Sequence, residues 1–271
     1  QSISEHYLPS GHESRVPKNL YSITLSLSDK LDTLVGFFGL GLIPTGSRDP
    51  YALRRFTIGL VRLIIENKIK IKLRSIINYS LTLYKEQGYE FDITKVLKEL
   101  NNFILDRLKN YSKDKDIRLD IIESSVLSND IDELYNGYKK AEILNKNIKK
   151  ELGQNVVAIY KRASNILISE IKKNKLELHN SVDIGLFKNE FEKNLYKKIQ
   201  EIKKYLLNLG KNDDFEQNLK ELFKLKQEVD LFFDNVIVND ENQSIKKNRL
   251  ELLNLLCKSF DNFFNFSKIE G

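Results

Sequence analysis

The chain has 271 residues, with 44 Lys or Arg against 38 Asp or Glu for a formal net charge of +6, 41% apolar residues and one cysteine. This length supports a sizeable core and about two domains, while a lone Cys257 excludes an internal disulfide framework and fits a reducing compartment. No apolar run approaches the ~18 residues of a membrane span, and no basic stretch followed by an apolar one opens the chain as a secretory leader would. Because 34 of the 44 basic residues are Lys, positive charge alone says little about an anionic partner. The remaining arginines say more, since a Lys-rich composition keeps Arg where its planar fork is needed.

In chain order, QSISEHYLPSG lacks an initiator Met and reads as the interior of a longer protein. SLSDKLDTLVGFF (26–38) predicts a helix ending near Gly36 or Gly39. A glycine-rich corner follows, and Asp49-Pro50 predicts the next helix start, with the carboxylate capping and proline at the first helical position. Leu53, Phe56, Leu60 and Ile64 form the buried stripe of that helix, which should reach about Asn67. Arg55 and Arg62 fall on nearly one face away from the stripe, flanked by Arg54. All four prolines lie in the first 50 residues, so the remainder favours helices. Residues 110–120, 124–132 and 238–248 are polar breaks.

Three more apolar stripes follow. Phe191, Leu195, Ile199, Ile202, Leu206 and Leu209 form one, with Gly210 as its stop. Phe215, Leu219, Leu222, Val229, Phe233 and Val236 form a second, interrupted by Lys226, and Leu253, Leu256, Phe260 and Phe263 form the last. The whole reads as all-α helical bundles, divided near residue 126 into segments 1–126 and 127–271.

Few residues carry recognisable chemistry. The corner GFFGLGLIPTGS fails as a phosphate loop, because Gly46-Ser47-Arg48 lacks the Gly-Lys-Ser/Thr ending and follows a helix rather than a strand. A structural corner that brings helices close is the simpler reading. With only His6, His12 and His179, no His-Asp dipeptide and no HExxH, the sequence argues against a hydrolytic metal centre built from this chain alone. Asp29, three residues before Asp32, is a weak candidate for one ligand of a site completed elsewhere. Cys257 lies in an apolar run and reads as packed. Between Asp130 and Lys175 there are ten Lys or Arg against six Asp or Glu, and YKRASNIL places Lys161, Arg162 and Asn165 within one helical turn. That face reads either as a solvated charged surface or as one contacting phosphates and base edges. KKNRLELL (246–253) leaves the same choice for Arg249, which could also anchor a helix end.

SDKLDTLVGFFGLGLIPTGSRDPYALRR (28–55) resembles a signature of the beta subunit of bacterial glycyl-tRNA synthetase. FILDRLKNYSKDKDIRLDIIESSVL (103–127), YKRASNIL (160–167) and EVDLFFDNVIVNDENQSIKKNRLELLNLL (228–256) are similar to later stretches of it, so the resemblance covers essentially the whole chain. Departures are mild: Ser28, Ala163, Asn239 and Lys247 stand where that family has other residues. The resemblance implies the C-terminal portion of a longer subunit, an HD-like helical region followed by a DALR-type anticodon-binding bundle. It implies a glycine–tRNA ligase in which an alpha subunit performs the chemistry with ATP and magnesium, while this non-catalytic, cofactor-free portion grips tRNA(Gly) in a cytoplasmic α2β2 assembly. Asp29 then matches the last metal-ligand aspartate of HD hydrolases, whose other ligands are missing. Under the resemblance Lys161, Arg162 and Asn165 contact the anticodon arm and Lys139 and Lys140 nearby phosphates. Arg54, Arg55 and Arg62 face the tRNA body or a domain interface, Arg249 is a further RNA contact, and Tyr135, Tyr138 and Tyr160 are possible stacking platforms. An HD phosphohydrolase remnant and a docking module for the alpha subunit are the alternatives.

Overall fold

A computed structural model describes residues 2–11, 13–126, 131–174, 176–208, 214–261 and 263–270. Among these residues the secondary structure is helical, the one exception being a bridge between Thr45 and Arg48. Residues 1–122 and 128–139 form one compact unit, and residues 123–127 and 140–271 form a second. Leu209 and Gly210 of the predicted stripe and stop lie outside the described residues, as do His12 and Asp130.

In the first unit, α1 (Ser2–Glu5) precedes α2 (Leu20–Gly39), α3 (Leu53–Glu66), α4 (Leu73–Glu86) and α5 (Ile93–Lys113). Asn19 starts α2 by accepting hydrogen bonds from the backbone N–H groups of Tyr21 and Ser22, which satisfies donors that a helix cannot pair internally. The apolar face of α2, through Leu31, Leu34, Val35 and Phe38, is buried where α2 packs on α3, α4 and α5. Its predicted end holds: the Leu40 N–H donates to the Gly36 carbonyl and the Gly41 N–H to the Phe38 carbonyl, closing the helix. Glycine at 36 and 39 is required by close approach, because a Cβ there would collide with the ring of Tyr84 or of Phe91.

The start of α3 differs from expectation. Asp49 does cap it, accepting from Leu53 N at 2.8 Å and Arg54 N at 3.0 Å. Yet Pro50 and Tyr51 stay in a turn, and the residue before the first helical one is Ala52 in the left-handed region (φ 55°). The carboxylate thus reaches across a tight turn, and the helix begins three residues later than an Asp-Pro start implies. Leu53, Leu60 and Ile64 are buried as predicted while Phe56 is only half-buried, and everything from Thr57 to Ile65 is buried as well. The N-terminal segment lies over the second side of α3: a Cβ on Gly59 would stand 2.6 Å from the Pro9 carbonyl oxygen and 2.7 Å from Lys30 Cε.

In the second unit, α8 (Glu151–Asn174) packs on α10 (Phe215–Phe223), α11 (Lys226–Asn235) and α12 (Gln243–Asp261), while α9 (Glu190–Asn208) packs on the same three. The chain enters this unit through α6 (Leu119–Ser125) and again through α7 (Leu134–Asn147). Leu195, Ile199 and Ile202 are buried along α9. The second predicted stripe is two helices rather than one. Lys224 N and Leu225 N bond back to Glu221 O and Leu222 O, the tighter i→i−3 pattern that ends a helix. Its buried apolar set is Phe215, Leu219, Leu222, Leu225, Val229, Phe232 and Val236, so Phe232 is interior while Phe233 is only half-buried. Behind α12, Phe260, Phe264 and Phe266 cluster with ring centroids 5.4–5.7 Å apart.

Candidate nucleic-acid interface

The long helix α8 has a buried side (Val156, Ile159, Tyr160, Ala163 and Leu167) and an exposed strip running through Gln154, Ala158, Arg162, Asn165, Ser169 and Lys172. The three residues picked out in YKRASNIL fall on or beside this strip: Arg162 and Asn165 are exposed and Lys161 is half-buried. The Arg162 guanidinium lies 4.3 Å from the Phe233 ring centroid, a cation–π contact that fixes a flexible side chain while leaving its edge donors outward. Sequence reasoning missed this partner by assigning Phe233 to the core. Its one-residue offset from the 222, 225, 229, 232, 236 series was the available signal. Neither Lys161 nor Asn165 has a side-chain partner among the described residues, leaving an ammonium and a primary amide for a ligand.

Elsewhere the sequence expectations need correction. Arg249 is 5% exposed and is no surface contact: its Nε donates to Glu192 Oε1 at 2.6 Å, and its Nη1 donates to Ile237 O and Asp240 Oδ2, both at 2.8 Å. Glu192, fully buried, also accepts from Lys188 N and Asn189 N while Asn189 Oδ1 accepts from Glu192 N, a reciprocal capping arrangement that starts α9. Backbone hydrogen bonding from Asn242, then the Arg249 guanidinium, hold the Asp240 carboxyl below its usual range. Arg62 is likewise buried, bonded to Glu66 Oε1 at 2.7 Å and Gly11 O at 2.5 Å, because the N-terminal segment covers the face on which it was expected to be free. Arg54 donates to Gly46 O at 2.6 Å, whereas Arg55 stays exposed.

The Lys140 ammonium lies 5.4 Å and 5.7 Å from the Phe215 and Phe263 ring centroids, and both it and Lys139 are half-buried. Two of the three tyrosines cannot stack on bases. Tyr138 is buried against Tyr111, and Tyr160 is buried with its hydroxyl 3.2 Å from Asp261 Oδ1. Burial, then the Asp261 carboxylate, raise the Tyr160 phenol far above its ordinary value. Tyr135 remains half-buried. Cys257 is packed as expected, and burial pushes its thiol up to about 12.

Asp29 is half-buried, and its Oδ2 is enclosed without a hydrogen-bond partner. Among the described residues no cluster of three or more His, Cys, Asp or Glu side chains is arranged to hold a metal ion. Next to it, burial lowers the Lys30 ammonium to about 8 against the opposing pull of Asp29. Its Nζ donates to Ser26 Oγ at 2.8 Å and to the Tyr7 carbonyl at 3.2 Å, so this lysine ties down the N-terminal segment. Among the described residues no helix is long and apolar enough to cross a membrane.

Comparison with known proteins agrees with this two-part construction. Residues 1–127 match the sequence model of the glycyl-tRNA synthetase beta subunit family, and residues 156–270 match that of the DALR anticodon binding domain. The glycine–tRNA ligase beta subunit of a Sulfurihydrogenibium species is 35% identical over 271 residues, covering 100% of this chain and 36% of the relative. The corresponding subunits of Rickettsia typhi and Rickettsia prowazekii are each 34% identical over 269 residues, covering 99% of this chain and 38% of theirs. The chain thus spans little more than a third of the length of the curated relatives it matches. Nothing among these matches or in the described side chains supports a phosphohydrolase. Over its full length the chain is thus similar to glycine–tRNA ligase beta subunits, its first half matching the glycyl-tRNA synthetase beta subunit family and most of its second half the DALR anticodon binding domain.

Proposed function

We propose that this chain is the tRNA-binding portion of a glycine–tRNA ligase beta subunit, from the C-terminal part of that protein, and that its second unit grips the anticodon arm of tRNA(Gly). The observation that carries the reading is the exposed strip of α8, where Arg162 is braced on Phe233 beside Lys161 and Asn165, inside the segment matching an anticodon-binding domain. The two cations neutralise phosphates, and the Asn165 amide suits a base edge in an unpaired loop. Lys139 and Lys140 are further phosphate contacts, and Arg54 and Arg55 face the tRNA body. The chemistry that joins glycine to tRNA, with its ATP and magnesium, belongs to an alpha subunit that pairs with this one in a cytoplasmic α2β2 assembly. No catalytic group is assigned to this chain.

Titrating tRNA(Gly) and a non-cognate tRNA at two salt concentrations tests the reading. Binding should weaken steeply with salt, and the Lys161→Glu, Arg162→Glu double variant should lose at least about tenfold in affinity, since two phosphate-neutralising charges become repulsive. Undetectable binding at low salt, or affinity unchanged by the double reversal, would move the site elsewhere or end the reading.

A further inference from the structure

In the first unit, a pocket of about 350 Å³ is lined by Ser10, Gly11, Arg54, Arg55, Ile58, Arg107 and Asn110. Three arginines line it, and among the described residues no carboxylate does. Arg55 and Arg107 have no ion-pair partner among the described residues, in contrast to Arg62 nearby, which Glu66 neutralises. Arg107 lies with its guanidinium carbon 5.7 Å from the Phe103 ring centroid, and its Nε is enclosed without a hydrogen-bond partner. A shielded charged donor is seldom left unmet in a folded protein, and like charges around one concavity build a positive potential that a counter-ion relieves. Arg54, held by the Gly46 carbonyl, and Ile58, 2% exposed at the floor, make two walls of the pocket rigid. Sequence analysis gave no reason to group Arg107 and Asn110 with the α3 arginines, from which they are some fifty residues distant in the chain.

We propose that this pocket is a phosphate-binding site, with Arg55 and Arg107 as its charged donors and Asn110 and Ser10 as neutral ones. Several forked cations converging with an amide and a hydroxyl suit the tetrahedral, multiply accepting phosphate group better than a planar carboxylate. The favoured source is a backbone phosphate of tRNA, an assignment that rests on the tRNA-binding reading above. A second pocket of about 150 Å³ shares Ser10 and Arg55 and is also lined by Tyr7, Pro9, Lys30 and Phe56, so aromatic residues stand beside it for an attached nucleotide.

The test measures tRNA(Gly) affinity across a salt series for the parent chain and for Arg55→Gln, Arg107→Gln and the Lys161→Glu, Arg162→Glu pair, with inorganic phosphate and AMP titrated in parallel by thermal shift. Each single variant should weaken tRNA binding about tenfold and lower the salt slope by about one phosphate contact. Ethylation of one particular phosphate should interfere with binding to the parent chain and not to Arg107→Gln. The exposed Arg55 keeps the test sound if Arg107→Gln folds poorly. If both single variants keep the parent slope while the α8 pair loses affinity, the pocket is not a phosphate site and the tRNA reading stands. If the parent chain binds no tRNA, the tRNA reading fails. Stabilisation by phosphate or AMP that requires Arg107 would then keep the site with a free nucleotide as its source, and its absence would overturn the site as well.

Discussion

Replacing Arg249 with Met should destabilise the second unit selectively, because this arginine is part of the scaffold. Its guanidinium and Glu192 are 6% and 0% exposed, at 2.6 Å, so deleting the cation strands a carboxylate in the interior along with the Ile237 carbonyl that it satisfied. Removing one partner of a buried ion pair typically costs about 3–5 kcal/mol, a large share of the ~5–15 kcal/mol that holds an ordinary domain together. With a urea dependence of about 1–3 kcal/mol per molar, the midpoint of the second unit should fall by about 2 M. Because two units need not unfold together, hydrogen exchange resolved by peptide is the assay: protection should collapse across α9 and α12 and persist in α2, α3 and α5. A cycle of Arg249→Met, Glu192→Gln and the double variant should show a coupling of at least about 1 kcal/mol. Arg249→Lys, which keeps the charge but loses the fork, should destabilise less and leave tRNA affinity of the folded protein unaltered. Loss of tRNA affinity in Arg249→Lys at unchanged stability, or a cost below about 1 kcal/mol for Arg249→Met, would refute the argument.

Two further outcomes test the first unit. Burial depresses the Lys30 pKa to about 8, against about 10.4 in an unfolded chain. Between those values the unfolded state binds the extra proton, so the stability of this unit should rise with pH from about 8 to about 10.4, and the rise should be missing in Lys30→Met. Chemical denaturation at stepped pH measures it, and an equal slope in both proteins would contradict the assignment. Gly59→Ala should cost about 1–3 kcal/mol in the same assay, since its methyl would meet the Pro9 carbonyl oxygen at 2.6 Å, and a neutral result would show that the N-terminal segment does not lie on α3 in solution.

What could be read from the sequence was what one helix determines alone. The Gly36 to Gly39 end of α2, the capping role of Asp49 and the buried Leu195, Ile199 and Ile202 depend on neighbours within a few turns, where period and cap chemistry act directly. The break at Lys224 and Leu225 was hidden because Leu225, itself fully buried, keeps the apolar series in phase across it. Arg62 and Arg249 were misplaced because their partners are distant in the chain: Gly11 lies 51 residues from Arg62, and Glu192 lies 57 from Arg249. A helical wheel reports which face of α3 is apolar, but not that a second segment will cover the opposite one.

Arginine persisting in a lysine-rich chain does mark a need for forked geometry, but that need arises inside the fold as readily as on its surface. Arg249 orders the start of α9 and the turn before α12, and Arg62 joins α3 to the segment over it. Among the described residues, cations for which no carboxylate partner is present include Lys161 beside the α8 strip, Arg162 resting on a ring, and Arg55 and Arg107 at their pocket. Charge pairing within the chain therefore removes Arg62 and Arg249 from the set that spacing alone suggests. On the readings proposed above, the RNA-facing candidates lie in both units, one set for an unpaired loop and the other for a backbone phosphate. If both sets act, reversing charge in either unit should lower the salt slope of tRNA binding while leaving the contribution of the other intact.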